Sequence, residues 1–159
     1  MKRSHSNAKL STQELIVKLE AYCAYQERCF SEIKSKLVSI GAEENQCKLI
    51  IDHLSKTNFF NQKRFVEAFV IGKLRSNKWG RIKIKSALIQ KQIEKELINQ
   101  SLYSFIDSDE YNETLKYLFE RKSNELANES DKWKKKEKIV RFLSSKGFEY
   151  DLIMDLFEY

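Results

Sequence analysis

The stretch Phe65–Lys85, FVEAFVIGKLRSNKWGRIKIK, decides how the rest of the chain is read. Its last five residues, RIKIK, alternate isoleucine with cations as a half-exposed strand would. Yet the chain holds no proline and only 4 glycines in 159 residues. An all-β fold draws on both residue types for a turn every ten positions or so. Followed further, the alternation breaks at Ser86-Ala87-Leu88-Ile89, and Ile84 and Leu88 fall at helical spacing. RIKIK is therefore read as the start of a helix, and Trp79-Gly80 as the connection before it. Ile82 and Ile89 then lie on a face offset from Ile84 and Leu88, facing either an adjacent repeat or a partner.

That register recurs on both sides. Ile33-x3-Leu37-x3-Gly41-Ala42, Ile84-x3-Leu88-x3-Gln92-Ile93 and Ile139-x3-Leu143-x3-Gly147-Phe148 share one pattern, spaced by 51 and then 55 residues. In each copy the next apolar slots follow at the same distances: Cys47 and Ile51, Ile98 and Leu102, Ile153 and Phe157. Apolar slots held through three copies mark a repeat architecture, in which each unit covers a neighbour's apolar face. The expected fold is all-α, an elongated, curved array of three tandem three-helix repeats over residues 11–60, 61–106 and 107–159, preceded by a flexible tail, residues 1–10.

Local signals place the helices. Ser11 or Thr12 opens the first, with Glu14 favouring its N-terminal end, and Leu15, Ile16, Leu19, Tyr22 and Cys23 share one face. Ser31 is read as the cap of a second helix that stops at Gly41, and a third carries Cys47, Ile50, Ile51 and Leu54 inward. The second copy begins near Asn61, with Phe65, Phe69, Leu74, Ile84 and Leu88 as its core. The third opens at Asp107 or Ser108 with Tyr111, Leu115, Leu118 and Phe119. Its second helix starts near Asp131 with DKWKKKEKIVR. That lysine run is read as a solvated helix face.

No arrangement of residues points to catalysis. With glycines only at 41, 72, 80 and 147, neither GxxxxGK[ST] nor GxGxxG can be written. Cys23, Cys29, Cys47 and His53 contain no CxxC pair, and structural zinc sites pair their ligands more tightly. Cys23 and Cys47 sit on apolar helix faces, where cysteine serves as a small hydrophobe. Carboxylates such as Glu43-Glu44 and Glu94-Glu96 read as solvated surface. The expectation is a protein that is not an enzyme and needs no metal and no cofactor. An odd number of cysteines, a polar start without an apolar core, and apolar runs far short of a membrane span suggest reduced thiols and a cytoplasmic location.

Charge is the remaining signal. The chain carries +6 overall. Between Asn61 and Gln92 stand Lys63, Arg64, Lys73, Arg75, Lys78, Arg81, Lys83, Lys85 and Lys91 against Glu67 alone, a local excess of +8. This window thus outweighs the whole chain, and it holds three of the seven arginines, the residue suited to bidentate contact with phosphate or carboxylate. Trp79 either closes the apolar gap between two helices or presents its ring to a base or a protein surface.

FFNQKRFVEAFVIGKLR resembles the most recognisable stretch of the bacterial RecX family, (L/F)xDxxRFAxxFVxxRxR, matching at Phe60, Arg64, Phe65, Ala68, Phe69 and Val70. WGRIKIKSALIQKQI is similar to that family's GxxRIxxELxxKGI. The opening AYCAYQERCFSEIKSKLVSIGAEENQCKLIIDHL and the closing KIVRFLSSKGFEYDLIMDLF resemble its ends. The resemblance spans residues 19–157. Gln92 stands where the family usually has glycine, Asn61 replaces a common aspartate, and Trp79 is not a family hallmark. The resemblance implies a non-enzymatic regulator that binds along the groove of the RecA recombinase filament on single-stranded DNA and inhibits its ATPase and strand exchange. It implies no membrane partner, and a monomer is expected. The surface expected to meet the filament or its DNA is Arg64, Lys73, Arg75, Lys78, Trp79, Arg81, Lys83 and Lys85. Two other readings stay open. One is an autonomous DNA-binding protein built from helix-turn-helix-like modules. The other is a helical scaffold with incidental charge.

Overall fold

A computed structural model describes residues 9–158; residues 1–8 of the expected tail, and Tyr159, lie outside the described residues. Among the described residues there are nine helices and no strand. They are α1 (Thr12–Tyr25), α2 (Phe30–Ser39), α3 (Glu44–Lys56), α4 (Gln62–Asn77), α5 (Arg81–Gln90), α6 (Lys95–Phe105), α7 (Ser108–Glu125), α8 (Lys132–Lys146) and α9 (Tyr150–Asp155). The chain is an all-α tandem of three-helix repeats. It divides into two compact units, residues 1–65 and 66–159, with the division inside α4.

In the first unit α1 packs on α3 and α2, and α2 on α3. Leu15, Leu19, Cys23, Ile33, Leu37, Ile50 and Leu54 form its core, with Ile16, Tyr22, Cys47 and Ile51 packed partly buried against it. Ser11 caps α1: its hydroxyl accepts from Glu14 N while the Glu14 carboxylate accepts from Ser11 N at 2.8 Å. The cap of α2 is Cys29 rather than Ser31. The Cys29 N–H donates to Glu32 Oε2 at 3.1 Å, so the helix begins two residues earlier than the hydroxyl suggests.

In the second unit α5 packs on α6, α7 on α8 and α8 on α9. Val66, Val70 and Leu74 bury one side of α4, whereas Phe69, expected in the core, is only half-buried. Ile84, Leu88, Ile98, Leu115, Leu118, Ile139, Leu143 and Ile153 are also inside. Asp107 and Asp131 cap α7 and α8 through their carboxylates.

The repeat is visible in backbone geometry as well as in apolar slots. After α2, α5 and α8 the chain turns through Gly41, Gln92 and Gly147 with φ of 79°, 61° and 90°. In all three turns the next N–H reaches back five residues: Ala42 to Leu37, Ile93 to Leu88 and Phe148 to Leu143, at 3.0, 3.1 and 3.3 Å. This is the left-handed helix end that glycine adopts without strain. Gln92 keeps the geometry despite its Cβ.

Candidate functional site

Part of the basic window meets at the turn between α4 and α5. Lys78 ends α4 with φ 55°, which swings Trp79 back so that its N–H donates to Lys73 O at 3.1 Å. The half-buried indole then lies between two cations, with Lys73 Nζ and Lys83 Nζ each 4.9 Å from its ring centroid. Lys83 Nζ also donates to Ser145 O at 2.9 Å. Among the described residues, Lys73, Lys78, Lys83 and Lys85 make no ion pair.

Gly80, next in the chain, has no side chain because there is no room for one. Its N–H donates to Lys146 O at 2.9 Å, and Ile82 N–H to Gly147 O at 3.0 Å. A Cβ on Gly80 would stand 2.2 Å from Gly147 O, and one on Gly147 would stand 2.3 Å from Lys83 Cβ. The start of α5 and the α8–α9 turn thus touch backbone to backbone. Arg81 completes this clasp. Its guanidinium lies 3.9 Å from the Tyr111 ring centroid and 3.5 Å from Glu149 Oε1, while its backbone N–H donates to Tyr111 Oη at 2.9 Å. The Tyr111 hydroxyl donates in turn to Glu149 Oε2 at 2.6 Å, and its ring meets that of Phe148 at 5.0 Å. Burial first, and the bond to Glu149 second, push the Tyr111 hydroxyl pKa up.

The other two arginines of the window also have internal partners. Arg75 forks onto Glu110, Nε to Oε1 at 2.8 Å and an Nη to Oε2 at 3.1 Å. The hydrogen bond from Arg75 holds the Glu110 carboxyl below the usual carboxylate range. In the first unit, Arg64 donates from Nε to Glu27 at 2.5 Å and to the side chain and backbone oxygens of Asn58, both at 3.0 Å. The eight expected surface residues therefore fall into two sets: three arginines bound to internal carboxylates, and four lysines with Trp79 that carry no such partner.

Among the described residues this surface shows no nucleophile coupled to a base. Ammonium groups beside an indole attract phosphate or carboxylate and offer a ring to stack upon. His53 and the cysteines stand elsewhere. His53 Nε2 lies 2.8 Å from Glu20 Oε1, and the described residues hold no group of three ligands fit for a metal. From the sequence Tyr111 was placed only among the apolar positions of the third copy and Gly147 only in the repeat register, and Glu149 was not singled out. The only hint was the rarity of glycine, which makes each of the four positions suspect.

Residues 61–102 match the family model described as the second three-helix domain of RecX, and residues 109–157 match the third. The chain belongs to the RecX family. It is 40% identical over 121 residues to the regulatory protein RecX of Clostridium perfringens (strain 13), covering 76% of this chain and 56% of that protein. A RecX of Clostridium botulinum (strain Eklund 17B) is 36% identical over 126 residues, covering 79% and 58%. The chain thus spans little more than half the length of these RecX relatives. Its fold is similar to the crystal structure of RecX from Lactobacillus salivarius, with a TM-score of 0.81 and 26% identity over 92% of this chain and 94% of that one. The position of Gln92 shows how a RecX helix end tolerates loss of a usual glycine, by keeping the positive φ and accepting the strain.

Proposed function

We propose that this RecX family chain regulates the RecA recombinase without being an enzyme. It binds the assembled filament on single-stranded DNA and inhibits its ATPase and strand exchange, acting in the cytoplasm as a monomer and without a cofactor. Family membership supports the choice of partner. The observation that supports the binding surface is the lysine set Lys73, Lys78, Lys83 and Lys85 around Trp79, which makes no ion pair among the described residues. Arg75 and Arg81 in the second unit, and Arg64 in the first, reach a partner only by exchanging a carboxylate they already hold.

An assembled filament presents the same acidic and phosphate groups many times. A chain of repeated modules gains from that through effective concentration, so binding favours the assembly over its free subunits. The test is single-strand-dependent ATP hydrolysis by the cognate RecA at increasing concentrations of this protein. Hydrolysis should fall, with free RecA competing poorly against preformed filaments. Unchanged hydrolysis together with no binding to filaments would sink the proposal. Tight, salt-sensitive binding to duplex DNA in the absence of RecA would instead support the autonomous DNA-binding reading.

A further inference from the structure

The second basic run, in α8, does more than solvate a helix. Trp133 is 83% exposed and Tyr150 61%. Between them runs a shallow groove of about 440 Å³ along α8 and α9, floored by the half-buried Val140 and Met154. Lys134, Lys136 and Arg141 line its rim, and its one lining acid, Glu137, is held by Arg141 at 2.5 Å.

The fold does not require this lining. In the repeat register, Trp133, Val140, Tyr150 and Met154 correspond to Lys78, Lys85, Lys95 and Asn99 in the second copy. In the first copy they correspond to Glu27, Lys34, Glu44 and Lys48. Every counterpart is polar, so the apolar surface belongs to the third copy alone. The charge is not there for helix stability either. Lys132, Lys134 and Lys135 crowd the first turn of α8, where the helix dipole disfavours cations, and the N-cap Asp131, 3.7 Å from Lys134 Nζ, sets one acid against three cations.

We propose that the α8–α9 groove docks an acidic protein segment that inserts aliphatic or aromatic side chains between Trp133 and Tyr150. An excess of cations on the rim selects negative charge. A floor of valine and methionine rewards apolar side chains, with methionine adapting to their shape. A single-stranded nucleic acid would use the two rings, but the polar edges of its bases gain nothing from the aliphatic floor. This site is separate from the Trp79 lysine cluster and does not depend on the RecA reading.

The test selects a displayed library of random dodecapeptides on the full chain and on a V140K/M154N variant, which imports the second copy's residues at half-exposed positions. Far-ultraviolet circular dichroism melting checks that the variant folds as the parent does; if it does not, W133A serves in its place. Peptides rich in Asp and Glu with one or two Leu, Phe or Trp anchors should be enriched on the parent. Synthesised, they should change the emission of Trp133, read in a Trp79→Phe background where it is the one indole, and lose at least tenfold in affinity for the variant. No such enrichment, or equal binding to parent and variant, overturns the proposal. So does a fifteen-residue oligo-dT that binds the groove and changes Trp133 emission as strongly as the peptides.

Discussion

Arg81 and Lys85 stand four residues apart on one helix, equally positive, and the structure uses them in opposite ways. Arg81 lies over Tyr111 and against Glu149, inside the clasp between α5 and the α8–α9 turn. Lys85 is half-buried along its stem and makes no ion pair among the described residues. The contrast extends across the window: Arg64 and Arg75 also hold carboxylates, whereas among the described residues Lys73, Lys78 and Lys83 make no ion pair. A planar guanidinium with five donors satisfies a carboxylate and an aromatic face at once, which suits it to holding elements together. A lysine head stays hydrated at the end of a flexible stem and remains available to a partner. Net charge alone hides this division, because both sets count equally toward it.

The clasp can be broken most severely at its glycines. Gly80→Ala or Gly147→Ala drives a Cβ into backbone that cannot yield cheaply. Each should cost about 3 kcal/mol or more of stability, read as a lower midpoint in urea denaturation. Arg81→Ala removes the ion pair and the ring contact but leaves the backbone bonds, and should cost about 1–3 kcal/mol. Tyr111→Phe should cost about 1–2 kcal/mol by removing a buried hydroxyl bonded on two sides. It should also change the response to pH. Because the folded-state pKa of Tyr111 is raised, the stability linked to its neutral form is complete below the unfolded value of about 10 and is lost as pH rises above it. Alkaline melts of the parent should therefore fall off beyond pH ~10, and those of Tyr111→Phe should fall off less steeply.

The helix ends sharpen the comparison with a gain in place of a loss. Gln92 adopts the left-handed conformation that Gly41 and Gly147 adopt freely. Gln92→Gly should stabilise the chain by about 0.5–1 kcal/mol, measured by thermal unfolding. The smallest stability effect belongs to the lysines. Glutamate at Lys73, Lys78 or Lys85 should each shift stability by less than about 0.5 kcal/mol, because none of the three holds the fold through an ion pair.

Much of the architecture could be read in advance, because burial follows periodicity. Ile33, Leu37, Ile84, Leu88, Ile139 and Leu143 occupy one register and are all buried. RIKIK shows why a short alternation misleads: Ile82 and Ile84 face opposite sides of α5, one 55% exposed and the other buried. Periodicity assigns faces coarsely, which is why Phe69 looked like core and is only half-buried. Capping depends on backbone geometry, so the hydroxyl of Ser31 drew attention from Cys29 and Glu32. The clasp was not legible, since Gly80 meets Gly147 only through long-range packing and neither residue's neighbours encode that approach. For the same reason the sequence could locate the charge but could not separate Arg81 from Lys83.

The central claim is that arginines of the basic window hold the fold while its lysines meet the partner. Its most direct test is co-sedimentation of the triple Lys73→Glu, Lys78→Glu, Lys85→Glu variant, which leaves the bond from Lys83 to Ser145 O in place, with preformed RecA filaments on single-stranded DNA, beside the parent protein. The account predicts a melting temperature close to the parent's and binding reduced at least tenfold. A variant that melts like the parent and binds the filament equally well would contradict it.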